Sequence, residues 1–235
     1  MKDSRLYFAY SLFQNLNLAF LNRREYFGQT EEDRFLVKWL PEVRGVYLDI
    51  GAGQPVCGSN TYHFYRKGWR GFCVDPIANN CKMLRLIRRG DSTIQGLVST
   101  NRGKMKFWEF IPYEYSTTVP EVAEKLMLTE GVRLKQVQPL DVFPLSRFAP
   151  RMTPQSPTLL SVDVEGADLE VLKSNDWSTI LPRVICVEEL ASSLSGDKSE
   201  IRLLLEDHGY ILSESTVLSS IFVHSSYLKS IRNRI

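Results

Sequence analysis

Several signatures are missing from this 235-residue chain, and each absence removes a class of function. No G-K-[S/T] follows any glycine turn, so there is no phosphate-binding P-loop. No two cysteines stand as C-x-x-C, and the three histidines, His63, His208 and His224, are scattered. A zinc site built on His or paired Cys therefore has little support. The most apolar stretch, residues 6–21, is interrupted by Gln14, Asn15 and Asn17. It is too polar for a membrane span and has no small-residue cleavage site of a leader. It is expected to form a helix that packs on the domain, covers the substrate entrance, or joins copies into a homo-oligomer.

Charge is also scarce in excess. The net charge is +2, which favours neither a polyanionic nor a polycationic partner. Lys82, Arg85, Arg88 and Arg89 cluster, but at spacings that put them on the solvated outer face of a helix. A basic groove for nucleic acid is not visible, nor is the N/D-P-P-Y/F tetrapeptide of base amino-group methylation. Cys57, Cys73, Cys81 and Cys186 lie mostly in apolar contexts, so reduced thiols and a cytoplasmic location are expected. Of the four, Cys57 is the thiol placed to approach a ligand.

With 43% hydrophobic and 24% charged residues, the chain has the composition of a globular protein with a sizeable core. Helices are expected at 6–21 and 31–40, and residues 1–41 read as a helical segment ahead of a domain spanning 42–235. Strands then alternate with helices: strands at 46–50, 71–74, 93–98, 159–164 and 183–187, helices at 59–67, 77–89 and 167–174. Residues 104–111 alternate as an exposed-face strand does, 112–120 and 152–157 read as loops, and 199–208 reads as a helix. Such alternation implies an α/β fold with a parallel sheet and right-handed crossovers. The last two strands, 210–212 and 219–224, are joined closely enough to be an antiparallel hairpin.

The most informative segment runs from Val46 to Pro76 (VYLDIGAGQPVCGSNTYHFYRKGWRGFCVDP). An apolar strand carrying Asp49 ends at Gly51-x-Gly53, and a second apolar strand closes on Asp75. Nucleotide-binding folds place an acid at this point on the ribose hydroxyls. A dinucleotide fold is disfavoured, because Gly58 falls one position late for G-x-G-x-x-G and Pro55 removes an amide from the turn. The D-x-G-x-G strand end with a closing acid instead resembles S-adenosylmethionine methyltransferases, whose cofactor has no phosphate to cradle.

Three blocks make the resemblance narrower. Residues 27–33 (FGQTEED) are similar to a family segment of the form S-Q-x-G-E-D, departing at Gly28 and Glu31. The segment LDIGAGQP…SNTYHFYRKGWRGFCVDP follows, and then LLSVDVEGADLEVL at 159–172 with VICVEE at 184–189. Over 26–189 the chain resembles the FkbM family of S-adenosylmethionine-dependent methyltransferases. The resemblance implies a Rossmann-like class I methyltransferase fold, with a mostly parallel seven-stranded sheet and an antiparallel C-terminal hairpin. It also implies O-methyl transfer to a hydroxyl of a sugar, glycan or polyketide-like acceptor. Ala167 stands where the family often has histidine, so no role passes from that residue. A catalytically silent scaffold with the same fold, and a methyltransferase for protein or nucleic acid, are the alternatives.

For the cofactor, Asp49, Gly51 and Gly53 are expected at the methionine end and Asp75 at the ribose. Ser99 is expected beside the adenine. Asn60 and Thr61 either touch the cofactor or cap the helix they begin, and Gln29 either reaches the cofactor carboxylate or is a surface residue. A hydroxyl nucleophile needs a base or a metal to take its proton. Asp163, Glu165 and Glu188 at the later strand ends are the catalytic candidates. One reading holds Mg²⁺ between Asp163, Glu188 and Glu189. The other makes Asp163 or Glu165 a base without metal, or leaves Glu165 as a helix cap. Tyr113 and Tyr115 either meet the acceptor or pack.

Overall fold

The computed structural model describes residues 2–21, 24–151, 158–189 and 198–232. Two helices lead in, α1 (Lys2–Phe20) and α2 (Glu32–Trp39). The alternating units are β1 (Val46–Ile50), α3 (Tyr62–Arg66), β2 (Arg70–Asp75), α4 (Ala78–Ile87) and β3 (Ser92–Gln95). An insertion follows, made of β4 (Leu97–Val98), β5 (Gly103–Ile111), α5 (Pro120–Met127) and β6 (Arg133–Phe143). The chain then returns through β7 (Thr158–Val162), α6 (Asp168–Lys173), β8 (Val184–Glu188) and α7 (Glu200–Asp207). It closes with β9 (Tyr210–Ser215), β10 (Ser219–His224) and α8 (Ser225–Arg232).

The main sheet has seven strands in the order β3-β2-β1-β7-β8-β10-β9. Pairing is parallel from β3 to β8, while β10 runs antiparallel to both β8 and β9. The central strands are apolar throughout because both faces are covered. On one face Leu48, Ile50, Phe72, Leu160, Val162 and Ile185 meet Phe148, Leu172 and Leu205. On the other, Tyr47, Cys73, Leu159 and Cys186 meet Leu36 and Leu40 of the α2 region, Phe64 and Trp69. Alternate residues of one strand thus feed two cores, the period-two geometry of a strand. Each fully buried Leu or Ile contributes about 1.5–3 kcal/mol relative to exposure.

The order of the strands creates the site. The chain leaves β1 towards β2 on one side and reaches β7 on the other, so loops diverge at the carboxyl ends of β1 and β7. Open α/β sheets bind ligands at such a switch point.

Three sequence expectations change. The third strand does not run to Val98: it ends at Gln95, and Leu97–Val98 joins a second sheet of order β4-β6-β5. Gly96 makes the break, since a Cβ there would stand 2.6 Å from the Phe143 ring. The stretch read as ending in a loop at Pro120 continues into α5, with Pro120 in its first turn, where a missing N–H costs nothing. β6 has little sequence signal, because polar residues dominate its first half and it contains Pro139. Away from Val142–Phe143 it pairs only with β5, and such an edge tolerates proline. The expected loop at 152–157 lies outside the described residues.

Arg88 is also not on a solvated face. It is fully buried just past α4, while Lys82, Arg85 and Arg89 are exposed. Helix α1 packs on the domain through buried Ser11 and Asn15 and leaves Leu6, Phe13 and Phe20 outward. Among the described residues no helix is long and apolar enough to cross a membrane.

Candidate active site

A cavity of about 400 Å³ opens beyond the carboxyl ends of β1, β2 and β7 and is roofed by the second sheet's loop at Tyr113–Pro120. That volume is ordinary for a small-molecule or cofactor site. Gly51, Gly53, Asp75, Ser99, Gln29 and Asp163 all line it, so the sheet brings together residues from five separate segments.

The turn after β1 is held from three sides. Asp75 is 3% exposed, and its Oδ2 accepts the Gly53 amide at 2.8 Å. Its Oδ1 accepts the Ile77 amide at 2.7 Å and the Asn80 side chain at 3.3 Å. Burial pushes this carboxyl up to about 7, against the pull of those donors. Gly51 and Gly53 have φ of +78° and +57°, a region open to glycine. From the N-terminal helix, Asn15 Oδ1 accepts the amides of Val56 at 2.9 Å and Cys57 at 3.1 Å. The Asn15 amide group donates to Gln54 Oε1 at 2.7 Å. Cys57 is exposed and lines the cavity, whereas Cys73, Cys81 and Cys186 are buried away from it.

Asp49 stands elsewhere than expected. It does not line the cavity but sits in a closed polar network behind it, 4% exposed. Thr61 Oγ1 donates to Asp49, and Arg88 approaches it at 3.5 Å. Arg88 also pairs with Asp91 at 2.8 Å and donates to Ser59 at 3.2 Å and Thr61 at 2.8 Å. Burial raises the Asp49 carboxyl and the guanidinium opposes that rise. Thr61 is therefore committed to Asp49. The oxygen that accepts amides at the start of α3 is that of Ser59, bonded to the Tyr62 N–H at 3.1 Å. Asn60 donates weakly to Ser161 Oγ at 3.4 Å, and its Oδ1 is buried without a partner. Neither Asn60 nor Thr61 reaches the cavity wall.

The acids of the later strands divide into two groups. Asp163 and Glu188 stand close enough to act on each other, and burial and the charges of Glu188, Glu165 and Asp168 raise the Asp163 carboxyl. Asp163 lines the cavity and Glu188 does not. Glu165 lines the mouth with φ of 54°, and burial, Glu188, Asp168 and Glu114 push it up to about 7. It caps nothing, because Asp168 orders this loop by accepting the amides of Val164 and Gly166, each at 3.1 Å.

Glu189 does not join Asp163 and Glu188, and the expected magnesium trio is not assembled. Among the described residues no three His, Cys, Asp or Glu side chains are arranged to hold a metal ion. The reason is local: Glu188 and Glu189 are neighbours at a strand end, where successive side chains leave opposite faces. The residues present do not fit that metal.

Sequence reasoning missed Asn15, Gln54, Arg88 and Asp168 as parts of the site. Asp168 had a signal, an acid at the start of an apolar helix after D-V-E-G. Asn15 and Arg88 had none, because Gln54, Val56 and Cys57 for the one and Asp49, Ser59 and Thr61 for the other lie far along the chain. Tyr113 lines the cavity, and Tyr115 stays outside it, 47% exposed.

The strand order, the single antiparallel strand β10 and a cavity beyond D-x-G-x-G define a class I methyltransferase fold. The methyltransferase FkbM domain matches residues 49–212 of the chain, which belongs to that family. Among solved structures the chain is similar to a TehB-like S-adenosylmethionine-dependent methyltransferase from Corynebacterium glutamicum, at 11% identity. That match covers 94% of this chain and 100% of the other, with a TM-score of 0.48. It is also similar to precorrin-6y C5,15-methyltransferase from Geobacter metallireducens, at 13% identity, 83% and 87% coverage and a TM-score of 0.41. A third is Aeropyrum pernix fibrillarin in complex with natively bound S-adenosylmethionine, at 13%, 82% and 75%, and 0.37. No curated protein sequence matches. The chain is thus an S-adenosylmethionine-dependent methyltransferase by family.

Proposed function

We propose that this methyltransferase acts on oxygen, transferring a methyl group to a hydroxyl of a sugar, glycan or polyketide-like small molecule. The observation that carries this is the Asp163 carboxyl, which lines the cavity with Glu188 close enough to act on it. A hydroxyl is a poor nucleophile that must lose its proton as it reacts, and this pair is built to take one.

The wall fits an adenosylated amino acid. Asp75 offers a carboxylate for two ribose hydroxyls, and Ser99 and Val98 flank the place for a base. Gln29 and Gln54 offer neutral donors for the methionine carboxylate, and Gly51 leaves room for close approach. Asp49 acts indirectly, holding the first strand end through Thr61 and Arg88. When bound, S-adenosylmethionine supplies an electrophilic methyl on a sulfonium.

The chain's own part is positioning and proton removal. One proton is shared between Asp163 and Glu188. As the hydroxyl oxygen gains the methyl, its proton passes to Asp163, and the proton that Asp163 held passes to Glu188. The pair ends with two protons and no charge, which burial beside Glu165 and Asp168 favours.

The test is incubation with isotopically labelled methyl donor and a panel of sugars, glycans and polyketide-type hydroxyl compounds. Label on oxygen supports the reading. Label only on nitrogen or carbon would sink it. Asp163→Asn should lower kcat by about 10²–10⁴-fold with donor binding retained.

A further inference from the structure

The charged residues of the cavity wall have one sign. Asp75, Glu114, Asp163, Glu165 and Glu170 line it, and no lysine, arginine or histidine does so among the described residues.

Three of the five acids already have partners. Asp75 accepts the amides of Gly53 and Ile77, and Asp163 stands beside Glu188. Glu170 accepts the Thr100 hydroxyl at 2.9 Å and lies 3.4 Å from Lys173. Glu114 and Glu165 remain, both exposed at the mouth, and neither carboxylate has a hydrogen bond or ion pair to a described residue. They are close enough for the charge of Glu114 to act on Glu165. A low-dielectric cleft lined by one sign of charge concentrates the opposite sign and repels its own.

We infer that the acceptor carries a cationic amine, held at the mouth by Glu114 and Glu165 while a neighbouring hydroxyl reaches Asp163. This rests on the O-methyltransferase reading and narrows its substrate class. The acceptor is an amine-bearing polyol of the amino-sugar kind. Phosphorylated, sulfated or carboxylated acceptors are disfavoured by repulsion, with no cation among the described residues of the wall to receive them. Glu114 and Glu165 are the specificity-determining residues.

The experiment uses the full chain saturated with S-adenosylhomocysteine and saturation-transfer NMR. The probes are hexoses of the gluco, galacto and manno series, each as the 2-amino-2-deoxy sugar, the plain sugar and the uronate. Binding of S-adenosylhomocysteine itself is measured first, and its absence would count against the methyltransferase reading rather than this inference. With it bound, amino sugars should bind at least about 10-fold more tightly than plain sugars, and uronates should give no signal. Glu114→Gln should reduce that preference about threefold or more without changing S-adenosylhomocysteine affinity. Uronates binding as well as amino sugars, or no amino sugar binding, would overturn the inference. So would Glu114→Gln weakening S-adenosylmethionine while leaving the sugar preference intact, because the acids would then serve the cofactor's own sulfonium.

Discussion

A Cβ on Gly51 would stand 1.7 Å from the carbonyl oxygen of Asp163. The two residues end adjacent strands, β1 and β7, and the Asp163 amide donates to the Ile50 carbonyl at 2.9 Å. The donor turn and the proposed base are therefore one rigid unit. No side chain fits between them.

Gly51→Ala should accordingly damage both halves of the site. The contact is with backbone, and φ of +78° adds strain to any substituted residue. Stability should fall by more than about 2 kcal/mol in urea unfolding, and methyl transfer should be lost. A stable, active Gly51→Ala would show that the strands are not locked in this way.

Arg88 holds two buried acids, Asp49 and Asp91, and has no solvent contact. Removing one partner of a buried ion pair strands the other charge. Arg88→Met should cost about 3–5 kcal/mol by chemical denaturation, and adding Asp49→Asn should recover part of it. Additive losses in the double variant would contradict a shared network.

Asn15 connects α1 to the loop at Gln54–Cys57 through three of its hydrogen bonds. Asn15→Ala leaves the buried Val56 N–H unpaired, at about 1–3 kcal/mol. S-adenosylhomocysteine affinity should drop about 10-fold by calorimetry, with the fold intact by circular dichroism. Unchanged affinity would make α1 a bystander.

Among the carboxyls raised in the folded chain are Asp33, to about 6, Asp75, to about 7, and Glu165, to about 7. Their unfolded values are 3.8 for Asp and 4.5 for Glu, so between these limits the folded state binds more protons. Stability from these groups is fully present below the unfolded values and is lost as pH rises through 6 and 7. Urea midpoints of the ligand-free protein should therefore fall across that window. Asp75→Asn should flatten the decline, and an unchanged profile would refute the assignment to Asp75.

Most of the frame was legible in the sequence because it depends on local pattern. The VYLDI and GFCVD runs give buried strands, the glycines give the turn, and the short 213–218 link gives the C-terminal hairpin. What stayed hidden depends on distant partners. Arg88 reads as solvated until distant Asp49 is seen beside it, and Asp49 reads as a ligand contact until Arg88 is. β6 hides because polar residues fill most of its first half, and alternation shows only near its end, where Leu140 and Val142 are buried on either side of exposed Asp141. Glu188 and Glu189 look equivalent in sequence, and only strand geometry separates them.

The central claim is that the cavity at Asp75 binds the methyl donor. Calorimetric titration with S-adenosylhomocysteine tests it most directly, in the wild type and in a folded Asp75→Ala variant. One site per chain should be filled in the wild type, and affinity should fall at least about 100-fold in the variant, as the loss of two charged hydrogen bonds implies. No binding by the wild type, or equal binding by Asp75→Ala, would contradict the account.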